Sequence, residues 1–271
     1  MSAPDEGDRI RPARRRFNAE LEWDALDPDD YCRRNYEIIH ENDAAFLARL
    51  RDFFSWKLAG RTGLHGVDVG AGGNLYPALS MLPFCDEITL IDYSRPNVRW
   101  LQERTTHYSE GTVDMAPWRQ FWNVLIEDPA YAAVPDPWGA LRKCARVRRQ
   151  SVFGLARGRW DVGTMFFVAE SISASTGEFR SAVSGFIDAL KPGAPFVASF
   201  MEKSEGWRVG NRAFPAVSVC DSDVLDSLGQ EAEVHELLRL GTGNPLRPGY
   251  TGMILVCGTK NPGHEGMGYE D

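Results

Sequence analysis

The stretch that most constrains this chain is Val67-Asp68-Val69-Gly70-Ala71-Gly72-Gly73-Asn74-Leu75-Tyr76, a short apolar run that opens into glycines. It reads as a buried strand turning tightly into a helix, with the backbone N–H groups of the turn free to meet a ligand. A second apolar run, Ile88-Thr89-Leu90-Ile91, ends on Asp92-Tyr93. An acid about twenty residues beyond the glycines is where a doubly wound α/β fold grips the two hydroxyls of a nucleoside ribose. A pyrophosphate site needs a further glycine three residues after Gly72, but Leu75 stands there and the bulky Tyr76 follows. The pattern predicts a nucleoside cofactor without a pyrophosphate, for which S-adenosylmethionine (SAM) is the candidate. It disfavours a nicotinamide-dependent dehydrogenase.

The rest of the chain suits that fold. Helical spacing between Asp24 and Lys57, opened by Asp-Pro-Asp-Asp around Pro28, predicts an N-terminal helical cap over residues 23–60 that carries Tyr31 and Tyr36. Ser94-Arg95-Pro96-Asn97 reads as a helix start with Ser94 as N-cap. Residues 112–150, rich in tryptophan and proline and then basic, read as an insertion. Further strands are expected at Val147 to Leu155, Trp160 to Val168, Pro195 to Met201, Val234 to Leu240 and Met253 to Gly258, with helices at Phe179 to Leu190 and Asp221 to Leu228. Strands alternating with helices imply an α/β, Rossmann-like, seven-stranded, mostly parallel sheet with helices on both faces.

Composition narrows the class of function. A formal charge of -8 argues against nucleic acid as a partner of the protein body. The basic cluster Arg9 to Arg16 sits in a leader, residues 1–22, that reads as flexible, as do residues 261–271. Five scattered cysteines show no disulfide framework, and neither they nor the isolated histidines have metal-ligand spacing. No apolar run is long enough to span a bilayer, which leaves a cytoplasmic protein with a small-molecule substrate and no membrane partner as the expectation.

Candidate chemistry lies at the carboxyl ends of the strands. Glu170 follows the apolar run Met165-Phe166-Phe167-Val168 and is the candidate general base, its pKa raised by a dry wall or lowered again by a nearby cation. The segment from Glu202 to Phe214 reads as a substrate loop. There Ser204 and Trp207 would contact the acceptor, Phe166, Phe167 and Phe200 would add an aromatic wall, and Arg208 with Arg212 would hold an anion such as a phosphate.

Asp27-Pro28-Asp29-Asp30-Tyr31 to Tyr36, Val67-Asp68-Val69-Gly70 to Tyr76 and Ile91-Asp92-Tyr93-Ser94 to Asn97 resemble the nicotinamide, phenylethanolamine and indolethylamine N-methyltransferases, over about Asp27 to Thr259. These are class I SAM-dependent enzymes that release S-adenosylhomocysteine (SAH). The resemblance implies that Tyr31, Tyr36, Gly70, Tyr76, Asp92, Tyr93 and Asn97 contact SAM, alongside Asp68 and Gly72 of the glycine turn. Two departures stand out. Ser151-Val152 replaces an Asp-Val pair that holds the adenine amino group, and Phe200 replaces an acceptor-gripping aspartate of the amine-binding members. The pocket then suits a basic amine poorly. Two kinds of methyl acceptor follow: a prenyl (geranyl) diphosphate methylated on carbon, with Glu170 as base and Mg²⁺ as a possible aid, or a small aromatic amine or alcohol methylated on N or O. A noncatalytic SAM-binding protein is the remaining alternative.

Overall fold

A computed structural model describes residues 17–105, 115–241 and 249–262. Its centre is a seven-stranded sheet in the order β3-β2-β1-β4-β5-β9-β8, with β1 Leu64–Val69, β2 Cys85–Asp92, β3 Ala145–Arg149, β4 Val162–Phe166, β5 Pro195–Glu202, β8 Ala232–Gly241 and β9 Gly252–Lys260. The first five strands are mutually parallel, while β9 runs antiparallel to both β5 and β8. β6 (Gly206–Val209) and β7 (Arg212–Pro215) form a separate antiparallel hairpin. Strands buried on both faces have no polar face to show, which is why Val67 to Val69 and Ile88 to Ile91 read as continuous apolar runs.

Each face of the sheet carries its own core. On one side pack α2 (Glu41–Lys57), α3 (Tyr76–Leu79), α4 (Arg95–Thr105), α5 (Ala116–Leu125), α6 (Pro129–Ala132) and α7 (Pro137–Cys144). α5 shows the reason in its sequence: Trp118, Phe121, Trp122 and Leu125 recur at helical spacing and all are buried. On the other side α8 (Thr176–Ala189) and α9 (Asp221–Leu228) bury Phe179, Val183, Phe186 and Val224 against Phe196, Ala198 and Phe200 of β5. Residues 116–144, read from sequence as part of an insertion, are helices of the first of these cores.

Two expectations need correction. The third strand covers 145–149, and the apolar residues assigned to its end, Val152 to Gly154, form a 3-10 turn capped by Ser151, whose hydroxyl accepts from Phe153 N at 3.3 Å. Ala-Arg-Val-Arg-Arg is an edge strand with solvated positions, so it lacks the apolar signature of a central one. The leader is not wholly flexible either. Residues 17–26 form two 3-10 turns, Asn18–Glu20 and Trp23–Ala25, tied to the body where Asn18 N donates to Glu178 at 2.9 Å and Asn18 Nδ2 to Ile172 O at 3.2 Å. The basic cluster Arg9 to Arg16 and nearly all of 261–271 lie outside the described residues.

Candidate functional site

The strand order reverses between β1 and its neighbours β2 and β4, and a cavity opens beyond the carboxyl ends of these three strands. A crevice at such a switch point is where open α/β sheets bind ligands. It is open to solvent at its mouth, and its empty space counted out into that solvent is about 930 Å³.

The glycine turn forms its floor. Gly70 has φ of +70°, and a Cβ there would lie 2.4 Å from Val168 Cγ2, so only glycine lets the turn approach β4. At Gly73 a Cβ would sit 2.9 Å from the carbonyl oxygen of Pro28, the first residue of α1 (Pro28–Tyr36), so the absent side chain lets the cap settle on the turn. The sequence suggested N–H groups free for a ligand, but those of Gly70, Ala71 and Gly72 are bonded within the protein. Gly70 and Ala71 donate to Ile91 O at 2.8 and 2.9 Å, and Gly72 donates to Asp92 Oδ2 at 2.9 Å.

The polar equipment of this inner end is therefore acidic side chains. Asp92 lies at the end of β2, where Oδ1 accepts from Ser94 N at 2.8 Å and Asn97 adds a side-chain hydrogen bond. Burial raises its pKa to about 6, and these donors hold it below what burial alone would give. A carboxylate offers about four acceptor positions, so ribose hydroxyls can share it with the backbone. Asp68 is more deeply buried. Its Oδ1 accepts from Thr164 Oγ1 at 2.8 Å, while Oδ2 has no hydrogen-bond partner among the described residues. Burial raises the pKa of Asp68 to about 8, with Asp92 pushing the same way. Asn97 Oδ1, also buried on the wall, is likewise unpartnered among the described residues. Leaving such groups unpaired costs about 1–3 kcal/mol each, which a ligand with matching donors would recover.

Tyr93, Ser151 and Val152 line the same cavity. Arg149 steadies Tyr93 by donating Nε to its carbonyl at 2.9 Å and placing its guanidinium 5.1 Å from the ring centroid. Tyr31 and Tyr36 stand at the wall edge-to-face, ring centroids 5.9 Å apart. Phe166 and Phe167 also line it; Phe167 has φ of 58°, a left-handed conformation costing a non-glycine residue about 1–2 kcal/mol.

Several sequence-based assignments fall elsewhere. Tyr76 is not a lining residue: its ring stacks 5.0 Å from Phe121 and its hydroxyl lies 3.4 Å from Asp43, a buried acid raised to about 7. Glu170 is fully buried outside the cavity wall, its Oε1 accepting from Met201 N at 3.1 Å and Ser171 Oγ at 3.0 Å. Phe200 points to the opposite face of the sheet, against Phe179 of α8. Ser204 is buried and donates to Gly206 O at 3.3 Å. Arg208 is exposed, and Arg212 pairs with Glu22 on the outer surface, so neither faces the cavity. Trp207 does line it.

Sequence reasoning missed Asn18, Trp23, Leu26, Gln150 and Ile172, all at the wall. None belongs to a motif, and only the coming together of distant segments gives them a role. Among the described residues no group of three or more His, Cys, Asp or Glu could hold a metal ion, and no helix is long and apolar enough to cross a membrane.

Neither a protein-family model nor a curated protein sequence matches the chain. Solved structures do. The N-methyltransferase NodS from Bradyrhizobium japonicum WM9 is 12% identical, with a TM-score of 0.52 over 83% of this chain and 100% of that chain. The same enzyme in complex with SAH gives 11% identity and a TM-score of 0.50 over 86% of this chain and 99% of the other. At such identity the likeness is one of architecture: the chain has the Rossmann-like fold of the SAM-dependent methyltransferases.

Proposed function

We propose that the protein is a SAM-dependent methyltransferase acting on a small-molecule acceptor. The observation that carries this reading is the pair of buried acids at the switch point, above all the unpartnered Asp68 Oδ2 on the cavity wall. The residues fit SAM in chemistry. Asp92 would accept from the ribose hydroxyls, Asp68 would pair with the ammonium of the methionine part, Asn97 would add an acceptor, and Tyr93 and Val152 would contact the adenine. With serine at 151 no carboxylate would take the adenine amino group, so that contact would be weaker or come from backbone atoms. Tyr31, Tyr36, Asp92, Tyr93 and Asn97, which carry the resemblance to the nicotinamide and phenylethanolamine N-methyltransferases, all line this cavity, although Tyr76 does not.

SAM supplies a methyl group activated on a sulfonium. The protein's share of such an in-line displacement is alignment and exclusion of water. Tyr31, Tyr36 and Trp207 on the wall would shield the reacting groups from water, and Asp68 and Asp92 would orient the cofactor. Glu170 serves as an anchor in this reading. Its carboxylate ties the turn after β4 to the Met201 amide, and its carbonyl accepts from Val217 N at 2.7 Å. Arg208 and Arg212 lie off the wall, so the prenyl diphosphate reading loses the anion anchor on which it stood.

The test is calorimetric titration of the protein with SAH and, separately, NADH. Saturable SAH binding without NADH binding is expected. Binding of NADH in place of SAH would return the site to a dehydrogenase.

A further inference from the structure

The cavity has a second end with chemistry unlike the first. Three separate stretches meet there: Trp23 and Leu26 of the N-terminal turns with Tyr31 of α1, Ile172 after β4, and Trp207 of the β6–β7 hairpin. The rings brace one another. Trp207 stacks on Phe214 at 4.5 Å, Trp23 on Phe214 at 5.4 Å, and Tyr31 meets Trp207 edge-on at 6.0 Å.

The indole and amide donors here are committed to the scaffold. Trp207 Nε1 donates to Ser171 O at 2.9 Å, Trp23 Nε1 to Asn18 O at 3.2 Å, and Asn18 Nδ2 to Ile172 O at 3.2 Å. What faces a ligand is aromatic and aliphatic surface. Among the described residues no lysine, arginine or histidine lines the cavity, and the two carboxylates that do, Asp68 and Asp92, belong to the inner end. An ion held here would lose its hydration without gaining a partner, which is costly, whereas a flat neutral ring loses little and gains stacking.

We propose that this outer end is the acceptor subsite, and that it takes an uncharged, flat, aromatic-sized molecule rather than a phosphorylated or ammonium-bearing one. The assignment rests on the reading of the inner end as the SAM site. Selectivity comes from shape and from the desolvation penalty on charge, with Ile172 and Trp207 as the residues that set it.

The experiment uses one ring in three charge states: 2-naphthol, 2-naphthyl phosphate and 2-naphthylmethylamine, titrated calorimetrically at neutral pH into the full chain with and without saturating SAH. The naphthol is expected to bind saturably and at least about tenfold more tightly than either charged probe. Ile172→Glu, which puts a carboxylate in the subsite, should shift preference toward the ammonium probe by at least about tenfold while SAH affinity stays within about threefold. Equal or tighter binding of the phosphate or the ammonium by the unaltered protein, or no naphthol binding to the SAH-loaded protein, would overturn the subsite. An unchanged preference in Ile172→Glu would overturn it as well. Naphthol binding without any SAH binding would overturn the cofactor reading and with it the acceptor role, leaving the outer end only as a site for neutral aromatic molecules.

Discussion

The two ends of the cavity are built in opposite ways. The inner end comes from consecutive residues at the tips of adjacent parallel strands, and it keeps polar atoms in reserve: Asp68 Oδ2 and Asn97 Oδ1 are buried without partners among the described residues. The outer end comes from segments far apart in the chain, and its indole and amide donors are committed internally. A site that must grip one fixed cofactor concentrates directional groups on a rigid sheet. A site that selects by shape can leave its polar atoms to the scaffold and present apolar surface.

The largest effect should come where the turn meets the sheet. Gly70→Ala places a methyl 2.4 Å from Val168 at positive φ, so a loss of about 3 kcal/mol in denaturant stability is expected, with SAH binding lost as well. A tolerated alanine would mean that the turn is looser than described and the inner end less rigid than the comparison requires.

Next comes Asp68. Its pKa of about 8 means that much of it is protonated at neutral pH, and pairing with an ammonium selects the carboxylate. Binding then releases a proton, so SAM affinity should rise as pH rises from 6 to 7.5, by up to about tenfold per pH unit. Asp68→Asn should flatten that slope. Titrations in buffers of different ionisation enthalpy read the proton release directly. The same raised pKa has the opposite consequence for the free protein: its stabilising contribution is full below the unfolded value near 4 and is lost as pH rises through about 8.

Glu170 gives a smaller effect. As an anchor it needs an acceptor oxygen more than a charge. Glu170→Gln should stay within about 1 kcal/mol of the parent in chemical denaturation, and Glu170→Ala should lose about 1–3 kcal/mol. Equal losses in both variants would show that the charge itself matters. Smallest of all, Arg212→Ala breaks a surface ion pair with Glu22 and should change thermal stability by less than about 1 kcal/mol. A clear loss of ligand affinity in that variant would bring Arg212 back to the site.

These differences also explain what the sequence could reveal. The sheet, its helices and the inner end were legible because they are local: an apolar strand, glycines at fixed offsets and an acid at the next strand end. Even there the free N–H groups expected of the turn proved to be bonded to Ile91 O and Asp92, because a neighbouring strand end competes for them. Of the outer end, the sequence singled out Trp207 as an acceptor contact, while Tyr31 was read as a contact of SAM. Asn18, Trp23 and Leu26 lie just beyond a run of basic residues that reads as a tail, and Arg208 and Arg212 carried a charge signal whose direction the sequence does not encode. Glu170 and Phe200 lie off the cavity for different reasons: Glu170 sits in the turn after β4, where its carboxylate accepts from the Met201 amide, and the pleat of β5 directs Phe200 toward α8.

The most direct test is SAH affinity measured by calorimetry in Asp92→Ala beside Trp207→Ala. The account predicts a loss of at least about 100-fold in the first and a change within about threefold in the second, since only the inner end holds the cofactor. Equal losses in both variants, or unchanged affinity in Asp92→Ala, would contradict the division of the cavity into a cofactor end and an acceptor end.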